Sequence, residues 1–105
     1  MRDAGVSEVM AEKGLFHKVK NKPTRRRFVV STIRRDENLF ETAVFEANFF
    51  YMPRRRNQPD LALETSTPAE AWDLHAKLAV RLIHEYPARV IQEYCELTPP
   101  TPPQD

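Results

Sequence analysis

The sequence predicts a single α+β domain: a three-stranded antiparallel sheet, an amphipathic helix that covers it, and a short helix after that. Three observations predict this fold class. Residues 28–52 are rich in β-branched and aromatic side chains, the composition typical of strands. A helix-capping motif begins at Thr67 and is followed by an apolar face at helical spacing. The length of 105 residues suits one small domain.

The sheet is predicted to contain strands at residues 28–34, 39–52 and 61–65. Successive side chains of a strand point to opposite faces, so the middle strand has two candidate core faces. The face that we expect to pack against the helix holds Leu39, Ala43, Phe45, Ala47, Phe49 and Tyr51. The other face holds Phe40, Thr42, Val44, Glu46, Asn48, Phe50 and Met52. We therefore expect Phe40, Phe50 and Met52 on an apolar surface that is open to a partner.

The first helix is predicted at residues 68–86. The preceding motif, Thr-Pro-Ala-Glu at residues 67–70, has the form of a capping box with proline at the first helical position. In such a box the Thr67 hydroxyl accepts from the Glu70 amide, and the Glu70 carboxylate reaches back to the Thr67 amide. The apolar half of the helical wheel consists of Ala71, Trp72, Leu74, His75, Leu78, Ala79, Leu82 and Ile83.

Pro87 is expected to end this helix, and a second, short helix is predicted at residues 88–96. The two ends of the chain lack such patterns. Residues 1–24 hold both glycines and scattered basic residues, so we expect a mobile basic arm. Residues 98–105 are rich in proline and are predicted to form a disordered tail. The folded domain is therefore predicted to span residues 25–97.

Charge is distributed unevenly along the chain although the net charge is +1. Residues 1–56 contain 13 Lys and Arg against 7 Asp and Glu, a net charge of +6. Residues 57–105 contain 3 against 8, a net charge of −5. This asymmetry has two interpretations. It can indicate an acidic partner, of which nucleic acid is the usual one, or it can be a solvated basic arm.

No catalytic or metal-binding constellation can be assembled from the sequence, and we expect no enzyme activity, metal or cofactor. Cys95 is the single cysteine, and His17 and His84 lie on unrelated segments without zinc-ligand spacing. His75 falls on the apolar helix face, where its imidazole is expected to bond a strand hydroxyl such as that of Thr42. No apolar run reaches the length of a membrane span, and there is no signal-peptide pattern, so we expect a cytoplasmic protein without membrane contact.

Three motifs follow one another in the sequence: Val30-Ser31-Thr32-Ile33, Phe40-Glu41-Thr42-Ala43-Val44-Phe45, and Ser66-Thr67-Pro68-Ala69-Glu70-Ala71 with His75 beyond it. In this order they resemble a group of short uncharacterised proteins of tailed phages and prophages. In that group the second motif usually reads F-E-T-M-V-F and the third S-T-x-x-E-A-x-x-G-H. Here Ala43 stands in place of the methionine and Leu74 in place of the glycine. The resemblance covers about half the chain and implies a phage or prophage origin without a defined activity.

Two functional hypotheses follow. The first is a non-enzymatic, phage-type accessory protein that binds another protein, or a second copy of itself, through the sheet face and the arginine-rich loops. The alternative is a nucleic-acid-binding protein whose arginine clusters contact phosphates from both ends of the sheet. Three antiparallel strands followed by a helix are similar to the arm-type DNA-binding domains of phage integrases, which is a likeness of fold alone. The predicted binding residues are Arg25, Arg26, Arg27, Arg34, Arg35, Phe40, Phe50, Arg54, Arg55 and Arg56.

Overall fold

The computed structural model describes residues 14–55 and 58–97 and has the predicted α+β class. Its sheet has four antiparallel strands in the order β1-β2-β3-β4, so the prediction of three strands is wrong. The elements are β1 (Leu15–Lys20), β2 (Arg27–Asp36), β3 (Leu39–Ala47), β4 (Leu61–Thr65), α1 (Pro68–His84) and α2 (Pro87–Leu97).

The additional strand, β1, lies inside the segment that was predicted to be a mobile arm. It pairs with β2 along its whole length, with Val19 opposite Phe28 and Lys20 opposite Arg27. Val19 is buried, and this burial fixes β1 on the rest of the sheet. The remainder of the predicted arm, residues 1–13, and the predicted proline-rich tail, residues 98–105, lie outside the described residues.

The helices and the middle strands lie close to their predicted positions, with one large difference at the end of β3. This strand ends at Ala47 and not at residue 52, because the chain turns at Asn48. The cap of α1 has the predicted first half, since the Glu70 amide donates to the Thr67 hydroxyl over 3.1 Å. The Glu70 carboxylate accepts from the amide and hydroxyl of Ser66 instead of the Thr67 amide.

The helices pack against the face of the sheet that we call the inner face. Its central pairs are Val19 with Phe28 and Val30 with Val44. They form the core together with the buried residues Leu61, Leu63, Leu78, Leu82 and Val90. At about 25 cal/mol per Å² of apolar area, this burial is the main source of stability for so small a domain.

The prediction of which β3 face forms the core is wrong. Phe40 and Val44 are 1% and 0% exposed, so the face that was expected to be open is the inner face. The polar residues on this face of β3 led to the prediction that the opposite face forms the core. Thr42 lies among the apolar residues with its hydroxyl hydrogen-bonded to Thr32, whereas Glu46 lies partly exposed near the end of β3, where it is paired with Arg26. Polar groups are tolerated in a core when they are hydrogen-bonded in this way.

The turn between β1 and β2 is attached to the end of α1 by the buried side chain of Asn21. Its amide nitrogen donates to the carbonyl oxygens of Leu82, over 2.6 Å, and Glu85. Its amide oxygen accepts from the backbone and hydroxyl of Thr24. The last carbonyl groups of a helix have no hydrogen-bond donor within the helix. Asn21 supplies a donor to them, so it caps the C-terminal end of α1 and holds the basic turn in place.

Candidate binding surface

The face of the sheet away from the helices, which we call the outer face, carries apolar and basic side chains. Strand alternation and the pairing register place Phe16, Lys18, Lys20, Arg27, Val29, Ile33 and Phe45 on it. Phe16 and Ile33 are 52% and 38% exposed. Both helices pack on the inner face, so no described element of secondary structure covers the outer face, but Val29 at its centre is only 1% exposed.

The chain after β3 forms a compact loop, residues 48–55, which we call the aromatic loop. The Asn48 side-chain oxygen accepts from the amides of Phe50 and Met52, over 2.8 and 3.1 Å. The Asn48 backbone amide donates to the Met52 carbonyl, and the Tyr51 amide donates to the Asn48 carbonyl. Tyr51 has a φ of 62°, a left-handed conformation that the bonds around it stabilise. The loop therefore has a defined backbone conformation.

Three apolar side chains of the aromatic loop point into solvent. Phe49, Phe50 and Met52 are 68%, 76% and 46% exposed. The backbone that presents them is tied back to the sheet, because Pro53 pairs with Ala47 and the Arg54 amide donates to the Glu46 carbonyl. Apolar side chains held out by an ordered backbone contribute little to folding, but they lose little conformational entropy when they bind a partner.

The aromatic loop also packs against basic side chains of the outer face. The Arg27 guanidinium lies 4.5 Å from the Phe49 ring centroid and 5.6 Å from that of Tyr51. The Lys18 ammonium lies 5.9 Å from the Tyr51 centroid. These are cation–π distances. We refer to Lys18, Lys20 and Arg27 together as the cationic row.

The structure separates the predicted arginines into two groups, as expected from their positions along β2. Arg25–Arg27 and Arg54–Arg55 lie at the end of the sheet that carries the aromatic loop, whereas Arg34–Arg35 lie at the opposite end. The two ends are about 23 Å apart at 3.3 Å per residue. Arg56 lies outside the described residues. The two groups therefore belong to different surfaces.

Several of these arginines are engaged within the protein. Arg26 makes two hydrogen bonds to the Glu46 carboxylate, over 3.0 and 2.6 Å, which raise the pKa of Arg26 and lower the pKa of Glu46. Arg35 donates two hydrogen bonds to the Glu41 carboxylate. Arg34 donates to backbone carbonyls of its own turn. The ion pairs are exposed, so each contributes little to stability, but they reduce the positive charge that a partner would meet.

Of the two phenylalanines predicted to bind a partner, Phe50 is exposed and Phe40 is not. Phe40 lies in the interior, with the Arg34 guanidinium 5.6 Å from its ring centroid. Because Phe40 is buried, it cannot contact a partner, and it is not part of the candidate binding surface. Phe49, which was assigned no binding role, and Met52, which was expected on the open surface, join Phe50 on the aromatic loop.

A hydrogen-bonded chain runs from the exposed His17 of β1 into the interior and connects β1, the inner face and α1. His17 Nδ1 lies 2.8 Å from His75 Nε2, His75 Nδ1 lies 2.7 Å from the Thr32 hydroxyl, and that hydroxyl lies 2.7 Å from the Thr42 hydroxyl. An order of donation that uses every proton along this chain runs from Thr42 to Thr32, from Thr32 to His75, and from His75 to His17. His75 is then neutral, and burial, with a smaller effect of His17, lowers its pKa to about 4.

This chain explains three of the motif residues structurally. Thr32, Thr42 and His75 each belong to a different one of the three motifs. The sequence predicted a bond from His75 to a strand hydroxyl, and the structure shows Thr32 as the partner, with Thr42 next in the chain. The part played by His17 was missed because β1 was not predicted. His75 is 1% exposed, so its bonds position α1 on the sheet, whereas His17 at the other end of the arrangement is exposed.

Comparison of the chain with models of protein families, with curated proteins and with solved structures gave no match. In residues 14–55 and 58–97, no three His, Cys, Asp or Glu side chains are grouped so that they could hold a metal ion. Neither of the described helices combines the length and apolarity needed to cross a membrane.

Proposed function

We propose that this protein is a non-enzymatic accessory protein, of the phage type that its motifs resemble, which acts by binding another protein. The contact surface is the aromatic loop together with the adjacent outer face. The observation that carries the proposal is the pairing of an ordered backbone with three solvent-exposed apolar side chains, Phe49, Phe50 and Met52. Exposed aromatic side chains next to arginines are the usual anchors of protein interfaces.

The cost of keeping these side chains in water supports this function. A buried phenylalanine side chain gains roughly 1.5–3 kcal/mol relative to an exposed one, and Phe50 forgoes most of this gain. The loop conformation is fixed through the Asn48 side chain and backbone groups, so it does not depend on the Phe50 side chain. Association with an apolar pocket of a partner would recover this free energy.

Photo-crosslinking tests the proposal. A photoreactive phenylalanine analogue placed at Phe50 is expected to form a specific adduct with a partner, or with a second copy, in cells that produce the protein naturally. The same analogue at Tyr86, which is 63% exposed beside the helices, is the matched control and should not form this adduct. Excess parent protein should suppress the adduct, whereas the variant Phe50→Ser/Met52→Ser should not. Equal labelling from both positions, or no adduct at Phe50, would refute the proposed surface.

Nucleic-acid binding is the alternative function, and the gathering of Arg25–Arg27 and Arg54–Arg55 at one end of the sheet is the observation that favours it. If our proposal is correct, duplex and single-stranded probes should bind more weakly than about 100 μM at physiological salt. The measurement is fluorescence anisotropy at two salt concentrations.

The alternative makes the opposite prediction for the same titration. Affinity would be higher, and the slope of log affinity against log salt concentration would become less steep by up to about two in Arg54→Ala/Arg55→Ala. Each phosphate that is no longer bound accounts for roughly one of this change. Arg34→Ala/Arg35→Ala, at the other end of the sheet, is the matched control and should leave the slope unchanged. This result would replace protein binding by nucleic-acid binding as the proposed function.

A further inference from the structure

We propose that the partner presents an acidic, extended segment to this surface, with carboxylates on the cationic row and an apolar side chain against the aromatic loop. This inference rests on the proposed function and specifies the chemistry of the partner. It is carried by the distribution of charge on the outer face and by the cations that lie beside the Phe49 and Tyr51 rings of the loop.

The cationic row is a set of like charges, and among the described residues no carboxylate lies next to it on its own face. Lys20 stands directly opposite Arg27 in the β1–β2 ladder, and Lys18 lies two residues before Lys20 on the same face. Like charges opposite one another in a sheet are destabilising. The carboxylates on the described outer face, Glu41 and Glu64, lie opposite each other in the β3–β4 ladder, and Glu41 pairs with Arg35. The outer face therefore has a positive end, which carries the cationic row, and an opposite end, which carries Glu41 and Glu64 and where Arg35 pairs with Glu41.

The carboxylates near the aromatic loop do not neutralise the cationic row. Glu46 lies on the inner face, where it holds Arg26, and its amide donates to the Asp60 carboxylate. A bound carboxylate would supply the missing counter-charge. The arrangement therefore favours an anionic ligand on the outer face at the end with the aromatic loop.

Arg27 is the best-positioned member of the cationic row. Its guanidinium lies near the rings of Phe49 and Tyr51, and its buried Nε atom has no hydrogen-bond partner among the described residues. A guanidinium presents its N–H groups in a planar fork that matches a carboxylate. A carboxylate at this end of the outer face could therefore bind the accessible N–H groups of Arg27.

The cations beside two rings of the aromatic loop, those of Phe49 and Tyr51, favour a carboxylate of a protein over the phosphate of a single-stranded nucleic acid. Binding of single strands depends on open aromatic faces on which bases stack. Here the Tyr51 ring lies near both Arg27 and Lys18. The Phe49 ring lies near Arg27, with the Phe50 ring edge-on at 5.4 Å. The remaining exposed groups, including Met52, are apolar side chains that suit a pocket or a side chain of a protein.

The spacing of the lysines defines the expected sequence of the partner segment. Lys18 and Lys20 are two residues apart in a strand, which corresponds to about 6.6 Å. Two carboxylates at positions i and i+2 of an extended peptide have the same separation. We therefore expect a pattern of two acidic residues separated by one residue, with an aromatic or aliphatic residue beside them that reaches the aromatic loop.

Selection from a displayed library of random dodecapeptides against the full chain tests this inference. The parent should enrich peptides with the acidic pattern and an apolar neighbour. A selected peptide should bind at least about tenfold more weakly to Lys18→Glu/Lys20→Glu, since the replacement of two attractive charge pairs by two repulsive ones at exposed sites is worth about 1.4 kcal/mol or more. A peptide with lysines in place of its two acidic residues should regain affinity for this variant. Arg89→Glu, an exposed charge reversal on α2, is the matched control and should bind like the parent.

The alternative outcomes distinguish this inference from the proposed function. Enriched peptides that lack acidic residues but lose affinity for Phe50→Ser would overturn the acidic segment and leave protein binding at the aromatic loop intact. Peptides that are insensitive both to Phe50→Ser and to the lysine variant would overturn both. Oligothymidylate is tested as a competitor of the selected peptide at physiological salt. If it displaces the peptide at a lower concentration than free peptide does, the bound anion is a phosphate and the inference is overturned.

Discussion

Replacement of Phe40 by alanine is expected to lower the free energy of unfolding by about 4 kcal/mol, which is close to the upper end for a buried phenylalanine. Phe40 is 1% exposed, so the substitution removes a large side chain from the interior and leaves a cavity. A domain of this size has roughly 5–10 kcal/mol of stability in all, and the variant should be close to unfolding at physiological temperature. The measurement is urea denaturation at equilibrium.

Phe50→Ala is the matched control for this prediction, because it makes the same chemical change on the same segment of chain. Phe50 is 76% exposed, so its replacement should change the free energy of unfolding by less than about 0.5 kcal/mol. Equal denaturation midpoints of the two variants would contradict the assignment of Phe40 to the inner face. They would return it to the open surface that the sequence predicted.

The second large effect is expected on acidification. Burial lowers the pKa of His75 from the ordinary 6.5 to about 4, so the unfolded chain takes up this proton at a higher pH than the folded protein does. The stability associated with neutral His75 is therefore complete above pH 6.5 and is lost as the pH falls towards 4. The loss should reach up to about 3 kcal/mol, by the relation between pKa difference and free energy. Urea denaturation in steps across this pH range measures it.

His75→Gln isolates this contribution, because glutamine has a similar polar reach and does not titrate in the range. The variant should be less stable than the parent at neutral pH, but its stability should fall much less between neutral pH and about pH 4.5, near the ordinary pKa of a carboxyl group. The exposed His84→Gln is the control and should follow the parent. Parallel pH profiles of parent and His75→Gln would show that His75 does not titrate in the way that its burial implies.

The α+β class and both helices could be predicted because their signals are local. The capping motif at Thr67 and the apolar half of the helical wheel lie within one segment, and Pro87 marks the boundary between the helices. β1 has a weaker signal. It is short, its inner face carries Leu15, His17 and Val19, and three of its six residues are charged or titratable. Only pairing with β2 makes this segment a strand, and such pairing is a property of the tertiary structure.

The choice of core face failed for a different physical reason. A count of apolar residues favoured the β3 face with Leu39 and Phe45, because the polar Thr42 lowered the apolar count of the opposite face. The count could not include the hydrogen bond between Thr42 and Thr32, which removes most of the cost of burying the hydroxyl. It also extended β3 beyond Asn48, although the side-chain bonds of that residue turn the chain.

The candidate binding surface was predictable in part. The sequence drew attention to the arginine clusters and to Phe50, and the structure places Phe50 beside Phe49, which contacts Arg27, on one surface. The sequence could not show that Arg26 and Arg35 are engaged by Glu46 and Glu41, because these pairs depend on strand register. It also gave no indication of the cationic row, since Lys18 and Lys20 acquire a common face only when β1 is a strand.

The position of β1 in the sheet has a consequence for the solution behaviour of the protein. In the described sheet β1 pairs on one side only, with β2, so it is an edge strand. Unpaired strand edges are templates for aggregation, and lysines on an edge oppose it, because edge-to-edge contact of two copies would bring their like charges together. Lys18 and Lys20 therefore act as gatekeepers of this edge. Neutralising them, by substitution with uncharged residues or by saturation with a polyanion, should promote pairing between copies, whereas reversal of their charge preserves the repulsion.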